Sequence, residues 1–325
     1  MPWKLPTPVY WVSGIATCVG AACIMKDIAG GKEYTGHEDL TDKVVIVTGA
    51  NTGIGKEVTR GMAQRGAKVV MACRDLFKCE TTRQEIVLET RNKYVYCRSC
   101  DLSVQKSIHE FVRNFKKEHG RLDILINNAG VMRCPKTLTA DGIEMQLGVN
   151  HIGHFLLTNL LLDTIKASAP ARIVNVSSVA HTRGSINTHD LNSTNSYDAG
   201  EAYAQSKLAN ILFTKELAKK LKDTGVTVNA VHPGIVDTEL MRHMSFSKSV
   251  LANFFIKPLF WVFLKTPKQG AQTVIFTALD PSLNDVTGAY FSNLQRAEES
   301  ENAKDEKMAS WLWQTSAKWT KLNLS

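Results

Sequence analysis

Continuous runs of apolar, mostly β-branched residues recur along the chain, with room for a helix between them. Such runs are typical of strands in a parallel sheet that is covered on both faces. The intervening segments carry apolar residues at helical spacing, most clearly at Ile108, Phe111 and Phe115. The pattern predicts strands at 43–47, 67–73, 94–100, 122–126, 172–176 and 226–231, and helices at 54–65, 76–91, 104–119, 143–167 and 202–222. Because strands alternate with helices, we expect right-handed crossovers and one doubly wound α/β domain with a parallel sheet, over residues 43–296.

The two ends of the chain differ from this block. Residues 9–25 contain no charge and lie between Lys4 and Lys26. As a helix they would span about 25 Å, slightly less than the roughly 30 Å hydrocarbon core of a bilayer. We therefore expect a membrane anchor helix in residues 1–26, with a cleavable signal peptide as the alternative. Residues 27–42 indicate a polar linker, and residues 297–325 a helical tail whose three tryptophans dock either on the body or on lipid.

Composition narrows the classes of partner. The net charge of +8 would suit an anionic cofactor, anionic lipid or nucleic acid. No basic run with interleaved aromatic residues is present, so we expect no nucleic-acid partner. The seven cysteines are scattered, and Cys97 and Cys100 have no second pair to complete a zinc site. We therefore expect reduced thiols and no metal, with His151 and His154 as helix-packing residues.

A glycine-rich turn follows the first predicted strand directly. Gly49, Gly53 and Gly55 stand between that strand and the next helix, in the spacing Gly-x-x-x-Gly-x-Gly. Residues without a Cβ allow backbone N–H groups to approach a pyrophosphate at the positive end of a helix. At the start of a βαβ unit, this turn predicts a dinucleotide site.

Tyr203 and Lys207 are one helical turn apart and share a helix face. A free phenol has a pKa of about 10 and is a poor base at neutral pH, but a nearby ammonium favours the phenolate. Lowering the phenol pKa by about three units needs roughly 4 kcal/mol of differential interaction. The pair predicts proton transfer at an alcohol or carbonyl oxygen, coupled to hydride transfer at a nicotinamide. Tyr197 has Glu201 at i+4 instead of lysine, so it is not the expected acid/base.

Together these motifs resemble the short-chain dehydrogenase/reductase family, over about residues 43–293. The resemblance recurs in family order at 48–55, 101–102, 127–130, 150, 177–178, 203–207 and 233–234. It implies a catalytic set of Tyr203, Lys207, Ser178 and Asn150, with Ser177 as a cap. It also implies cofactor contacts from Tyr203 and Lys207 and from the following residues: Gly49, Asn51, Thr52, Gly53, Ile54, Gly55, Asp101, Leu102, Asn128, Ala129, Gly130, Pro233, Gly234 and Thr238. Asn127 would link strands of the sheet. The helices at 143–167 and 202–222 form the family's usual homodimer surface, although their apolar faces could equally be core.

The residue after the second strand bears on which nicotinamide is used. NAD sites usually end this strand with a carboxylate that binds the ribose 2′-hydroxyl. Here Cys73 is followed by Arg74, whose guanidinium suits a 2′-phosphate. We therefore expect NADP(H), although Asp75 could reach the ribose after a small backbone shift.

The substrate side is unusually apolar. Residues 250–264 lie where this family builds its substrate lid, and they are rich in aromatic and aliphatic side chains. Such a segment indicates a lipophilic ligand, a membrane contact, or burial against the protein. The chain is similar to the retinol dehydrogenase branch of the family, in residues 48–56, 127–134 and 148–157. That similarity implies interconversion of all-trans-retinol and all-trans-retinal on a mitochondrial or endoplasmic reticulum membrane. A broad carbonyl reductase for lipid aldehydes and a non-catalytic, nucleotide-bound membrane scaffold are the alternatives.

Overall fold

The computed structural model describes residues 30–240 and 264–323, and isolated positions between 17 and 26. Within these residues, eight strands form one sheet in the order β3-β2-β1-β4-β5-β6-β7-β8. β1 to β7 pair in parallel, and only the short β8 is antiparallel to its neighbour. The strands are β1 Val44–Thr48, β2 Lys68–Cys73, β3 Val95–Ser99, β4 Ile124–Asn127, β5 Ala171–Val176, β6 Val226–His232, β7 Tyr290–Ser292 and β8 Gln295–Arg296. The Rossmann-type parallel α/β fold predicted from the apolar runs is confirmed.

Helices cover both faces of this sheet. The principal ones are α1 Gly53–Gln64, α2 Leu76–Thr90, α3 Gln105–Glu118, α4 Gly153–Ala167, α5 Ala199–Lys220, α6 Pro267–Leu279 and α7 Glu306–Trp319. A short turn of helix, Met145–Leu147, and a π-helical turn, Gly148–Ile152, lead into α4. Shorter 3₁₀ turns occur at Val179–Arg183, Pro281–Leu283 and Glu301–Lys304.

Strand β1 shows why its apolar run is continuous. Val45 and Val47 pack on one face of the sheet with side chains of α1, α2 and α6. Val44 and Ile46 pack on the other face with side chains of α3, α4 and α5. Since successive side chains of a strand point to opposite faces, two cores require apolar residues at every position.

The C-terminal helix α7 packs on the second of these cores. The Trp313 ring lies 4.9 Å from Phe155, edge to face, and 5.9 Å from Phe213. Ser316 pairs with the buried His151, 2.9 Å from its Nε2. Of the two alternatives for the tryptophans, Trp313 therefore docks on the body. The homodimer through α4 and α5 stays a prediction, and α7 covers part of their apolar surface.

The expectation that all cysteines are reduced thiols is wrong. Cys79 of α2 and Cys97 of β3 form a disulfide. They are 18 residues apart in sequence. The crossover from α2 into β3 packs the helix against the strand and so brings the two cysteines together. His151 and His154 are buried in helical packing, as expected. Within the described ranges, no group of three or more His, Cys, Asp or Glu residues could hold a metal ion.

The N-terminal anchor and the apolar lid fall largely outside the described residues. The former was predicted for residues 1–26 and the latter for residues 250–264. Among the helices that are described, none is long and apolar enough to cross a membrane. Residues 31–40 of the predicted linker form no helix or strand.

Candidate active site

The candidate site lies at the carboxyl ends of the strands, where the strand order reverses. β1 has β2 on one side and β4 on the other. The chain adds β2 and β3 on the first side of β1, and then crosses to add β4 and the later strands on the opposite side. In open parallel sheets, ligands bind in the crevice at this switch point. A cavity of about 250 Å³ lies in the crevice.

Most of the predicted cofactor residues line this cavity. They come from the loops after β1, β2, β3, β4 and β6 and from the start of α1, and are Gly49, Asn51, Thr52, Gly53, Ile54, Gly55, Arg74, Asp101, Leu102, Asn128, Ala129, Gly130 and Thr238. Tyr203, Lys207, Pro233 and Gly234 are not among the residues that line it. The cavity therefore corresponds to the nucleotide half of the predicted site.

The glycine turn has the close packing that its sequence predicts. Gly49 and Gly53 have φ angles of +62° and +55°, a left-handed conformation that favours glycine. A Cβ on Gly55 would lie 2.2 Å from the Gly49 carbonyl oxygen and 2.6 Å from Asn128 Nδ2. Only glycine fits at that point, so the N-terminal end of α1 is left open towards the cavity.

Thr48 and Asn128 fasten β1 to β4 beneath the cavity. Thr48 Oγ1 accepts the backbone N–H groups of Asn128 and Ala129, both at 2.9 Å. Asn128 Nδ2 donates to the Thr48 carbonyl at 2.9 Å. One strand further, Asn127 Nδ2 donates to Asn175 Oδ1 at 2.8 Å, the sheet-linking role expected of it. The floor of the cavity is thus held by side chains of the sheet itself.

Two cations lie at the end of the cavity next to β2. Arg74 follows the strand, and Lys78 is one helical turn further, in the first turn of α2. Asp75 is the N-cap of α2, and its carboxylate accepts the Lys78 backbone N–H at 3.1 Å. The carboxylate therefore already has a structural role beside the two cations. Sequence reasoning missed Lys78, which its i+4 spacing from Arg74 could have indicated.

Tyr203 and Lys207 lie side by side in α5, and both are buried. Lys207 Nζ is 5.7 Å from the centre of the Tyr203 ring and donates to the Val176 carbonyl at 3.1 Å. A Cβ on Gly130 would be 3.6 Å from Lys207 Nζ. Since Gly130 also lines the cavity, the lysine is placed where the nucleotide half meets the predicted catalytic residues.

Burial dominates the titration of this pair. It raises the pKa of Tyr203 to about 12, against a smaller lowering by the hydrogen bond with Ser178. It also lowers the pKa of Lys207 to about 8. The expected lowering of the phenol pKa is therefore not produced by the protein's own groups. The reason is desolvation, because a buried phenolate loses its hydration. The surroundings keep Tyr203 protonated, which suits a proton donor.

The two adjacent serines point in different directions. Ser177 is buried, and its hydroxyl donates to the Lys207 carbonyl at 2.7 Å. Ser178 is partly exposed, and its Oγ accepts the Ala180 backbone N–H at 3.2 Å. Ser178, not Ser177, is therefore the cap of the following 3₁₀ turn, and the same hydroxyl interacts with Tyr203.

Asn150 lies in the π-helical turn before α4, a distortion frequent at functional sites. Its Oδ1 accepts the Val131 N–H at 2.8 Å, and its Nδ2 donates to the Val131 carbonyl and to Ser206 Oγ, both at 2.9 Å. Its carbonyl oxygen lies 3.0 Å from His154 Nδ1. The asparagine thus joins the loop after β4 to the helix that carries Tyr203.

The loop after β6 brings the remaining predicted residues to the same edge. Gly234 has a φ of +95°, and a Cβ there would lie 2.7 Å from Lys265 Cδ. Thr238 lies over the glycine turn, since a Cβ on Gly53 would be 2.9 Å from its Cγ2. Pro233 is buried at the end of β6.

The long connection from Ser178 to Tyr203 is fastened to the body. Asn192 Oδ1 accepts the Glu144 N–H at 2.7 Å, and the Tyr197 hydroxyl donates to the Cys134 carbonyl at 2.7 Å. Tyr197 is therefore a structural tyrosine, in agreement with its lack of a lysine at i+4.

Comparison with known proteins agrees with this arrangement. The family model for short chain dehydrogenases matches residues 43–248. Human retinol dehydrogenase 13 is 49% identical over 94% of this chain and 93% of its own length. Human retinol dehydrogenase 12 is 53% identical over 91% and 92%.

Solved structures show the same fold. A Mycobacterium paratuberculosis protein has a TM-score of 0.71 and 36% identity, covering 90% of this chain and 98% of its own. The Pseudomonas aeruginosa RhlG/NADP complex has a TM-score of 0.63 and 25% identity, over 78% and 96%. A Brucella melitensis 3-ketoacyl-(acyl-carrier-protein) reductase complexed with NADH has a TM-score of 0.61 and 25% identity, over 78% and 97%. The chain belongs to the short-chain dehydrogenase/reductase family and is an oxidoreductase similar to retinol dehydrogenases.

Proposed function

We propose that this protein is an NADP(H)-dependent oxidoreductase that interconverts a lipophilic alcohol and its carbonyl, with all-trans-retinol and all-trans-retinal as the substrate pair. The observation that carries the proposal is the buried Tyr203 beside Lys207 and Ser178, next to the cavity at the strand switch point. A bound nicotinamide would supply or accept the hydride.

The chain's own residues would handle the proton. Ser178 is the hydroxyl placed to hydrogen-bond the substrate oxygen, and Tyr203 is the group placed to donate its proton to that oxygen in reduction. Lys207 presents a positive charge where the nucleotide half of the cleft meets Tyr203. Asn150 holds the loop after β4 against the tyrosine helix. In oxidation the same phenol would have to lose its proton first, which burial opposes.

The preference for NADP(H) is supported by charge at the adenosine end. Arg74 and Lys78 offer two cations to a 2′-phosphate, while the Asp75 carboxylate caps α2. A phosphate gains charge-assisted hydrogen bonds there that a ribose hydroxyl cannot match. A solved relative carries NADP and another carries NADH, so the preference rests on these side chains.

A lipophilic substrate is supported by the residues around the predicted catalytic serine and tyrosine. Met132 packs against the small apolar cluster of Ala180, Tyr203 and Ala204. Val179 and Ile235, which follow Ser178 and Gly234, are 47% and 51% exposed. Exposed apolar side chains next in sequence to predicted site residues suit a substrate with one oxygen on a hydrocarbon body. The relatives named retinol dehydrogenase make the retinoid the first choice. We further propose that the apolar N-terminal segment brings this opening to a mitochondrial or endoplasmic reticulum membrane.

The test is NADPH consumption by the full-length, detergent-solubilised protein with all-trans-retinal, nonanal or a sterol ketone. We expect turnover of retinal at low micromolar concentration, and its loss in a Tyr203→Phe variant that still binds NADPH. Equal turnover of all three carbonyls would replace the retinoid assignment by a broad carbonyl reductase. NADPH binding without turnover of any of them would favour a nucleotide-bound scaffold.

A further inference from the structure

His181 stands three residues beyond Ser178 and is almost completely buried. Its ring Nδ1 lies 2.7 Å from the Ser178 carbonyl oxygen. On the other side of the ring, the Ser300 backbone N–H donates to Nε2 at 3.3 Å. The imidazole therefore bridges two segments. One is the 3₁₀ turn Val179–Arg183 that Ser178 caps (the serine turn), and the other contains Ser300, 119 residues further along the chain.

The two partners fix the tautomer of this ring. A carbonyl oxygen can only accept a hydrogen bond, so Nδ1 carries the hydrogen. A backbone amide can only donate, so Nε2 keeps its lone pair. The ring is thus assigned from its partners as the neutral Nδ1–H form. A second proton on Nε2 would oppose the Ser300 N–H and break the bridge.

The surroundings hold the imidazole in place. The Tyr290 ring packs edge to face against it, with centroids 4.9 Å apart. Asn302 Nδ2 donates to the Gly184 carbonyl at 2.9 Å, which fastens the end of the same 3₁₀ turn to the C-terminal segment. The 3₁₀ turn is therefore attached to residues that follow the sheet at two points, through the ring of His181 and at Gly184.

We propose that His181 is a positioning residue that sets the place of the Ser178 hydroxyl through the Nδ1–H bond to the Ser178 carbonyl, with the C-terminal Ser300 amide holding the imidazole in the required tautomer. This inference rests on the proposed role of Ser178. Ser178 Oγ accepts the Ala180 N–H, and its own hydrogen is donated in the hydrogen bond that lowers the pKa of Tyr203. Because the hydroxyl and the carbonyl belong to the same residue, a shift of the backbone at the Ser178 carbonyl also moves the Ser178 hydroxyl.

One consequence distinguishes positioning from simple support of the fold. The hydrogen bond with Ser178 acts to lower the pKa of Tyr203. If Ser178 moves away, that lowering is lost, and the alkaline rise of the oxidation rate, which requires ionised Tyr203, should move to higher pH. The charged and titratable groups that act on His181 or lie near it are Glu299, His232 and Tyr290. None of them carries the bond to Ser178.

The experiment compares three substitutions, because each restores a different part of the imidazole. His181→Phe keeps a ring against Tyr290 but removes both hydrogen bonds. His181→Asn places an amide near the Nδ1 position and can restore the bond to Ser178. His181→Gln reaches the Nε2 position and can restore only the bond to Ser300. The measurements are kcat, KM, the pH–rate profile for oxidation, the Kd for NADPH and the melting temperature.

We expect His181→Phe to lower kcat by up to about 100-fold, the cost of misplacing a reacting group by about 1 Å. Its pH limb should move upward, while the Kd for NADPH stays unchanged. His181→Asn should recover most of kcat and the original pH limb, and His181→Gln should not. The proposal is overturned if His181→Phe keeps the wild-type kcat and pH limb. It is also overturned if His181→Gln recovers activity better than His181→Asn, or if activity merely follows the folded fraction.

The wild-type protein and Tyr203→Phe serve as references in the same assay. An inactive wild type would refute the proposed function itself. An active wild type with an inactive Tyr203→Phe and an unaffected His181→Phe would refute only the positioning role.

Discussion

The proposed preference for NADP(H) can be tested by removing the two cations at the end of the cavity next to β2. Arg74 and Lys78 line it from the end of β2 and from the first turn of α2. If they read a 2′-phosphate, Arg74→Ala and Lys78→Ala should each weaken NADPH binding and leave NADH binding almost unchanged. The double variant should approach equal use of the two nucleotides.

The magnitude follows from the exposure of both side chains. A hydrogen bond to a charged group contributes about 1.5–3 kcal/mol, and exposed ion pairs contribute about 1 kcal/mol or less. Arg74 and Lys78 are exposed at the cavity edge, so we expect about 1–2 kcal/mol for each, or roughly a 5- to 30-fold rise in the Kd for NADPH. The loss should shrink at high salt, because screening weakens exposed charge pairs.

The assay is a fluorescence titration of each variant with NADPH and NADH at two ionic strengths. Arg83→Ala is the matched control, since Arg83 lies in the same helix, pairs with Glu80 and does not line the cavity. Asp75→Asn is the second control: its amide oxygen can still cap α2, so NADH binding should hold. Equal losses of NADPH and NADH in Arg74→Ala, or a large loss of NADH in Asp75→Asn, would refute the assignment of these side chains.

Three further changes test the packing around the site. Gly55→Ala should abolish binding of both nucleotides, because its Cβ would lie 2.2 Å from the Gly49 carbonyl; binding within threefold of wild type would contradict this. Trp313→Ala should destabilise the protein by about 3–5 kcal/mol in urea unfolding, and a loss below 1 kcal/mol would mean that α7 docks only weakly. Burial lowers the pKa of His154 from 6.5 to about 4, so its contribution to stability is complete above about pH 6.5 and is lost as the pH falls towards 4. His154→Gln should reduce this loss of unfolding free energy, which reaches about 3 kcal/mol at most. An acid unfolding curve identical to that of the wild type would assign the loss to other groups.

The parts of the fold that carry a long pattern were predictable from sequence. Strands β1 to β6 lie within two residues of their predicted limits, because two-sided burial demands apolar residues at every position. β7 and β8 have only three and two residues, too few to show any periodicity. The disulfide between Cys79 and Cys97 depends on how α2 lies over β3, which no local pattern encodes.

The residues of the candidate site likewise divide into those that the sequence pattern predicts and those that depend on tertiary packing. The spacing of Gly49, Gly53 and Gly55 predicts a tight turn without room for a Cβ. The i, i+4 spacing of Tyr203 and Lys207 predicts that they share a helix face. The use of Asp75 as a helix cap could not be chosen in advance, because the sequence allows the carboxylate to face either the helix or the ribose. The bridge from His181 to Ser300 was beyond sequence reasoning altogether, since it joins residues 119 positions apart.

The buried pair Tyr203 and Lys207 leads to a last prediction, about the pH dependence of reduction. Burial holds the pKa of Tyr203 at about 12 and that of Lys207 at about 8. The phenol therefore stays protonated throughout the neutral range, and the first group to change charge as the pH rises is the lysine. Reductive kcat should fall above about pH 8 because the ammonium becomes neutral, not because the tyrosine loses its proton. Lys207→Arg keeps the positive charge at any accessible pH, so its weaker activity should show no fall near pH 8. A fall that persists in Lys207→Arg would assign the limb to Tyr203, and would mean that the bound nucleotide lowers the pKa of the phenol further than burial raises it.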